Sequence, residues 1–145
     1  MSVRFLYDTA VFLYALGSDH AYREPCRDIL GLAAEGSLVG DASVELVQEL
    51  VHVRARRTGD REDAAQAGRH LVPLCRLHAV EPADLTLALR LFQTCPGLHM
   101  RDAVHAATAL NRDIGLILSP DRAFDAVPGI ERVEPAAALP RLLPR

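Results

Sequence analysis

The stretch Phe5-Leu6-Tyr7-Asp8-Thr9 constrains the fold more than any other. Residues 3–7 are rich in β-branched and aromatic side chains and lack Gly and Pro, which is the composition of a short, largely buried strand. Residues 10–16 follow at once and read as a helix, so Asp8 and Thr9 form a strand-to-helix turn. In an open α/β sheet, ligands bind at that carboxyl edge. An Asp there serves either as a cap on the first helical amides or as a functional acid. The turn alone leaves both open.

The same alternation recurs along the chain. Helical periodicity covers residues 21–35, 43–57, 60–71, 82–95 and 101–110. Gly36 supplies one stop, Ser43 a cap and Pro82 a favoured first position. In the helix opened by Pro82, Leu85, Ala88, Leu89 and Phe92 form the predicted apolar stripe. Further short strands are predicted at 38–40, ending at Asp41, and at 77–80, 115–118 and 132–133. Residue 135 onward is Pro- and Ala-rich and reads as a tail. Strands alternating with helices predict an α/β fold with a short parallel sheet covered by helices on both faces.

A length of 145 residues fits a single domain, 1–145. Half the residues are hydrophobic, which excludes a disordered chain. No apolar run reaches the roughly 18 residues of a membrane span, and no basic segment precedes a leader-like apolar stretch. The expectation is a soluble, cytoplasmic protein with no membrane partner. Cys26, Cys75 and Cys95 are widely spaced and form no C-x-x-C pair, so neither a disulfide frame nor a zinc site is expected. The six histidines are scattered and read as surface or satisfied core residues. The net charge of −3 gives no global basic field.

The acids carry more information. Glu45 and Glu49 lie one turn apart on the helix 43–57, on a stripe bordering its apolar arc. Asp102 opens the Ala-rich helix 101–110, where the dipole favours a carboxylate. Asp121 follows the apolar run 115–118 in Ser119-Pro120-Asp121, as Asp8 follows the first strand, and Asp125 lies a turn further on. Each has a local explanation as a cap, a turn or a solvated flank. In a parallel sheet, however, the two strand-end acids Asp8 and Asp121, the helix-opening Asp102 and one helix-edge Glu can all reach one rim crevice. Carboxylates about 4 Å apart repel by roughly 4 kcal/mol at an effective dielectric of 20, so such a cluster requires protons, Arg partners or a divalent cation. An all-oxygen site suits Mg²⁺ or Mn²⁺.

Four runs of this sequence resemble the motifs of the PIN domain, and in particular of VapC toxins from bacterial toxin–antitoxin pairs. They are Tyr7-Asp8-Thr9, Val47-Gln48-Glu49-Leu50, the run from Arg101-Asp102-Ala103 through Val104-His105-Ala106-Ala107-Thr108-Ala109, and Ser119-Pro120-Asp121-Arg122-Ala123-Phe124-Asp125. They occur in the family's order across nearly the whole chain, and the last two are the most specific. The resemblance implies a Rossmann-like sheet and a Mg²⁺-dependent endoribonuclease with Asp8, Glu49, Asp102 and Asp121 as catalytic and metal-binding acids. Thr9 and Ser119 match assisting hydroxyls, Asp125 is a further supporting acid, and Glu45 is the rival for the helical acid. It also implies an RNA substrate, a homodimer and a cognate VapB-type antitoxin that blocks the site. Position 10 is Ala where many relatives carry a small polar residue. The alternatives are an idle PIN-like scaffold and a haloacid-dehalogenase-like phosphatase, which needs a second Asp where Ala10 stands. A response-regulator receiver needs a late Lys, and all sixteen basic residues here are Arg.

Two further expectations concern partners. Arg54, Arg56, Arg57 and Arg61 form a basic cluster expected to help bind RNA through phosphate contacts. The short apolar helix Val11-Phe12-Leu13-Tyr14-Ala15-Leu16 has little polar face; one side must pack on the sheet, and the other is a candidate surface for antitoxin or a second subunit.

Overall fold

The alternating runs build a five-stranded sheet in the computed structural model, which describes residues 3–143. Strand β1 (Leu6–Tyr7) is followed by helices α1 (Thr9–Leu16) and α2 (Arg23–Ala34). Then β2 (Gly40–Ser43) leads into α3 (Val44–Thr58) and α4 (Arg61–Leu71), and β3 (Cys75–His78) into α5 (Pro82–Thr94) and α6 (Met100–Leu110). Strands β4 (Leu116–Leu118) and β5 (Glu131–Val133) follow, and the short α7 (Leu139–Leu142) comes last.

The strand order is β3-β2-β1-β4-β5, and every pairing is parallel. The chain lays strands to one side of β1, then returns to lay β4 and β5 on the other. The junction of β1 and β4 is therefore the topological switch point, where α/β sheets open a crevice at their carboxyl ends.

Strand alternation divides the core into two layers. Phe5 and Tyr7 enter one with Phe12, Ile29, Leu46 and Leu50. Leu6 enters the other with Ile117, Phe124 and the alanines of α6. Ala103, Ala106 and Ala107 have no exposed surface, so α6 sits on the sheet without large side chains between. Gly40 is required at the start of β2, because a Cβ there would collide with the Tyr7 ring and lie 2.7 Å from the ring of Phe5.

Several boundaries differ from the sequence reading, each for a physical reason. The second strand begins at Gly40 and contains Asp41 rather than ending at it. A charged residue inside a buried strand is tolerated because Arg4 (2.8 Å), His78 (2.6 Å) and Arg76 (3.5 Å) surround its carboxylate. The third strand lies at 75–78, two residues earlier than predicted. On α5 the expected stripe is rotated: Asp84, Ala88 and Leu91 are buried, while Leu85, Leu89 and Phe92 are exposed. Asp84 turns the helix, since its carboxylate caps the Glu81 amide and accepts from Asn111 and Arg112 at 2.8–3.1 Å. The expected tail after 135 is also a correction. Pro135–Ala137 forms a 3₁₀ turn, and Ala138 and Leu142 pack into the first core layer. No described helix is long and apolar enough to cross a membrane.

Candidate active site

The switch point gathers its acids from four elements. Asp8 follows β1 and precedes α1, yet its side chain caps no helical amide. Its Oδ2 instead accepts from the Ser119 hydroxyl at 2.6 Å. The register explains the pairing, because Tyr7 lies beside Leu118 and the Asp8 amide donates to the Leu118 carbonyl at 3.0 Å. Ser119 also accepts from the Asp121 amide at 2.9 Å, tying the two post-strand acids together. Asp121 does act as a local cap, with Oδ1 accepting from the Ala123 amide at 2.9 Å, while also lining the cleft.

Glu49 comes from the middle of α3. Its Oε2 accepts from the Thr9 hydroxyl at 2.7 Å, and Oε1 lies 3.4 Å from the Arg101 guanidinium. Glu45, half-buried one turn earlier, does not line the cleft. Asp102, in the first turn of α6, is 17% exposed. Its carboxylate meets the ring of His99 at 3.8 Å. The cleft, about 350 Å³, is lined by Asp8, Thr9, Glu49, Asp102 and Asp121, with Tyr14, Tyr22 and His99 at its walls.

His105 has no exposed surface and is the residue that sequence reasoning missed. Its Nε2 lies 3.1 Å from the Thr9 hydroxyl and 3.6 Å from Glu49 Oε2, while Nδ1 has no partner. Because Thr9 donates to Glu49, it can only accept from His105, which requires a proton on Nε2. Arg101, too, was read only as part of a motif.

The charges are unevenly compensated. Burial pushes the Asp8 carboxyl up, more than Ser119 and His105 offset. Burial and then the charge of Asp8 push Asp102 up to about 6. Burial also raises Glu49, but His105, the Thr9 hydroxyl and Arg101 outweigh it and hold that carboxyl below its usual value. Burial works against a charged His105, yet Glu49 and Asp8 raise it overall. An all-carboxylate donor set with surplus negative charge at Asp8 and Asp102 fits a divalent cation. Among the described residues no group of three or more His, Cys, Asp or Glu is already drawn together as a metal cluster.

Two expected residues lie elsewhere. Asp125 is turned away and pairs with Arg132 at 2.9 Å. Arg54 pairs with Asp63 at 2.7 Å and donates to the Leu16 carbonyl at 3.3 Å. Arg56, Arg57 and Arg61 are exposed, and none lines the acid cleft.

The profile of the PIN domain matches residues 5–130. The chain belongs to the PIN-domain family. It is 41% identical over 133 residues to Ribonuclease VapC7 of Mycobacterium tuberculosis (strain ATCC 25618 / H37Rv), covering 90% of this chain and 91% of that protein. The fold resembles the crystal structure of M. tuberculosis VapC20, described as a sarcin-ricin loop cleaving toxin, with a TM-score of 0.69 and 18% identity over 84% of this chain and 93% of that one. It also resembles VapBC2 from Rickettsia felis bound to a DNA fragment from their promoter, with a TM-score of 0.67 and 15% identity over 90% and 98% of the two chains. At those identities the structural likenesses establish the PIN fold alone, which agrees with the Rossmann-like sheet expected from the sequence.

The charge surplus generates a stability prediction. A carboxyl whose folded pKa exceeds its unfolded value binds more protons folded than unfolded, so ionising it costs stability as pH rises. For Asp102 the window runs from its ordinary value of 3.8 to about 6, and the penalty above it is roughly 2–3 kcal/mol. Asp102→Asn removes that penalty. In chelator at pH 7 it should melt at or above wild type, and its advantage should shrink as the pH falls to 4. It should also gain less from added Mg²⁺. Melting curves over pH, with and without Mg²⁺, check this; a wild-type Mg²⁺ response would exclude Asp102 as a candidate metal ligand.

Proposed function

We propose that this PIN domain is a VapC-type endoribonuclease toxin that acts in the cytoplasm and hydrolyses RNA phosphodiester bonds with metal-activated water. The observation that carries the reading is the convergence of Asp8, Glu49, Asp102 and Asp121 at the switch point, with His105 as the one fully buried basic side chain among them. The relatives' names point to the same chemistry. Mg²⁺, or Mn²⁺ in its place, would be held by Asp8, Asp102 and Asp121, with Glu49 beside them. When bound, the cation lowers the pKa of water and balances phosphate charge.

The chain's own groups organise that site. Ser119 fixes Oδ2 of Asp8 and leaves Oδ1 available. Thr9, positioned by His105, orients Glu49. Arg101 neutralises the outer oxygen of Glu49 and is itself more than half exposed, so it can also meet a backbone phosphate.

The partner is a VapB-type antitoxin, in line with the VapBC assemblies of similar fold. A groove of about 580 Å³ between α1 and α3 adjoins the cleft, sharing Leu13 and Tyr14 with it. Its wall of Leu13, Leu16 and Leu50, with Arg57 at the rim, suits an apolar antitoxin segment bearing an acid. A second copy of the chain is assigned to α5, whose exposed Leu85, Leu89 and Phe92 recur at i, i+4 and i+7.

Three measurements test these assignments. End-labelled RNA should yield 5′-phosphate and 3′-hydroxyl products, with activity reduced roughly 10–100-fold by Glu49→Gln and little by Glu45→Gln; cyclic 2′,3′-phosphate ends would exclude the mechanism. Leu16→Glu, at a side chain already 40% exposed, should weaken antitoxin binding and leave RNA cleavage intact. Leu89→Glu should turn a dimer into a monomer by light scattering; an unchanged mass would place self-association elsewhere.

A further inference from the structure

Three rings cluster where the acid cleft meets the neighbouring groove. Tyr14 lies on α1, and His20 and Tyr22 lie in the turn before α2. Tyr14 and His20 have centroids 4.6 Å apart, Tyr14 and Tyr22 5.4 Å, and His20 and Tyr22 5.7 Å with planes only 19° apart. The Tyr22 amide donates to His20 Nδ1 at 3.1 Å, which orients the imidazole and places any proton of the neutral ring on Nε2. Both tyrosines are half-buried and His20 is exposed. Of the chain's three tyrosines, Tyr7 is fully buried in the core, and the other two line the cleft that holds the catalytic acids.

The geometry points to a nucleobase-stacking platform: Tyr14, His20 and Tyr22 receive an unpaired base of the RNA adjacent to the phosphate that is cut. This inference rests on the ribonuclease reading above and adds to it the side chains that would hold the base beside the scissile phosphate. The rings already hold one another in place, so a base that lands on them pays little ordering entropy. Any base offers a π face, so the contact is tolerant of sequence but excludes a base stacked within a duplex. A phosphodiester placed among Asp8, Asp102 and Asp121 carries a flanking nucleotide past Tyr14 and Tyr22, because they wall the same cleft. The leucine-lined groove alongside shares Tyr14 and His20 with the platform, whereas Tyr22 lines the acid cleft and not the groove.

The test uses fluorescence anisotropy in chelator, with a fluorescein-labelled single-stranded RNA 12-mer and the same strand annealed to its complement. Tyr22→Ala should weaken single-strand binding roughly tenfold, the size of one lost base–aromatic stack, and change duplex binding less than twofold. Tyr22→Phe should bind as wild type, because it keeps the ring. An abasic residue next to the mapped cut should weaken wild-type binding but not that of Tyr22→Ala, a coupling that survives any general loss of stability. Equal losses for single strand and duplex, no loss for either, or a loss confined to antitoxin binding would each overturn the platform. If the protein cleaves RNA and Tyr22→Ala is unaffected, the platform alone fails. If single strands bind in a ring-dependent way but no RNA is cut in Mg²⁺, the ribonuclease reading fails and the rings remain a single-strand binding site without a cleavage role.

Discussion

The pairing of β1 with β4 is the contact on which the site depends. These strands have only two and three residues, and their ladder alone could not hold them. They are clamped between two apolar layers, one built on Phe5 and Tyr7 and the other on Leu6 and Ile117. Once they are clamped, Asp8 and Ser119 are neighbours although 111 positions separate them in sequence. A parallel pair needs a crossover connection, and the last helix of this one, α6, brings Asp102 and His105 to the same rim. The four acids proposed to be catalytic thus come together through topology and owe little to local sequence.

This explains which parts of the molecule were legible in the sequence. Asp8, Ser119 and Asp121 could be placed because apolar runs ending in an acid reveal both a strand and its carboxyl end. Asp102 could be placed because small residues behind it, at Ala103, Ala106 and Ala107, announce a helix lying close to the sheet. His105 could not. Within an Ala-rich helix it resembles any core histidine, and its role depends on Thr9, 96 positions away. The preference for Glu49 over Glu45 was a matter of motif; the structure adds that Glu49 lines the cleft and Glu45 does not.

The misread elements follow the same rule. Helical periodicity shows that α5 has an apolar side, but two adjacent arcs qualify, and the choice falls to the polar anchor of Asp84 with Asn111 and Arg112. Composition after residue 135 resembles a tail because Pro and Ala are weak local signals. The spacing of Ala138 and Leu142, one helical turn apart, is what lets that segment close the first core layer. Likewise, Arg54 belongs to a basic run in sequence, yet Asp63 on the next helix claims it. Charge patterns indicate which residues are free to act only once their partners are known.

The distribution of compensation then locates the chemistry. Glu49 is met by a hydroxyl, an imidazole and a guanidinium, and its negative charge is accommodated without any further ion. Asp121 has a backbone amide and Asp8 a single hydroxyl. Asp102 has only a ring 3.8 Å away. The unsatisfied charge therefore lies between Asp8 and Asp102, and burial strengthens each field because little water screens it. Arg partners on all four acids would stabilise the rim and leave no surplus charge for the proposed cation. Compensating Glu49 most fully leaves the surplus charge at Asp8 and Asp102, where the proposed cation would sit. The cost in stability and the proposed capacity to bind an ion are two consequences of one arrangement, and relieving the first would remove the second.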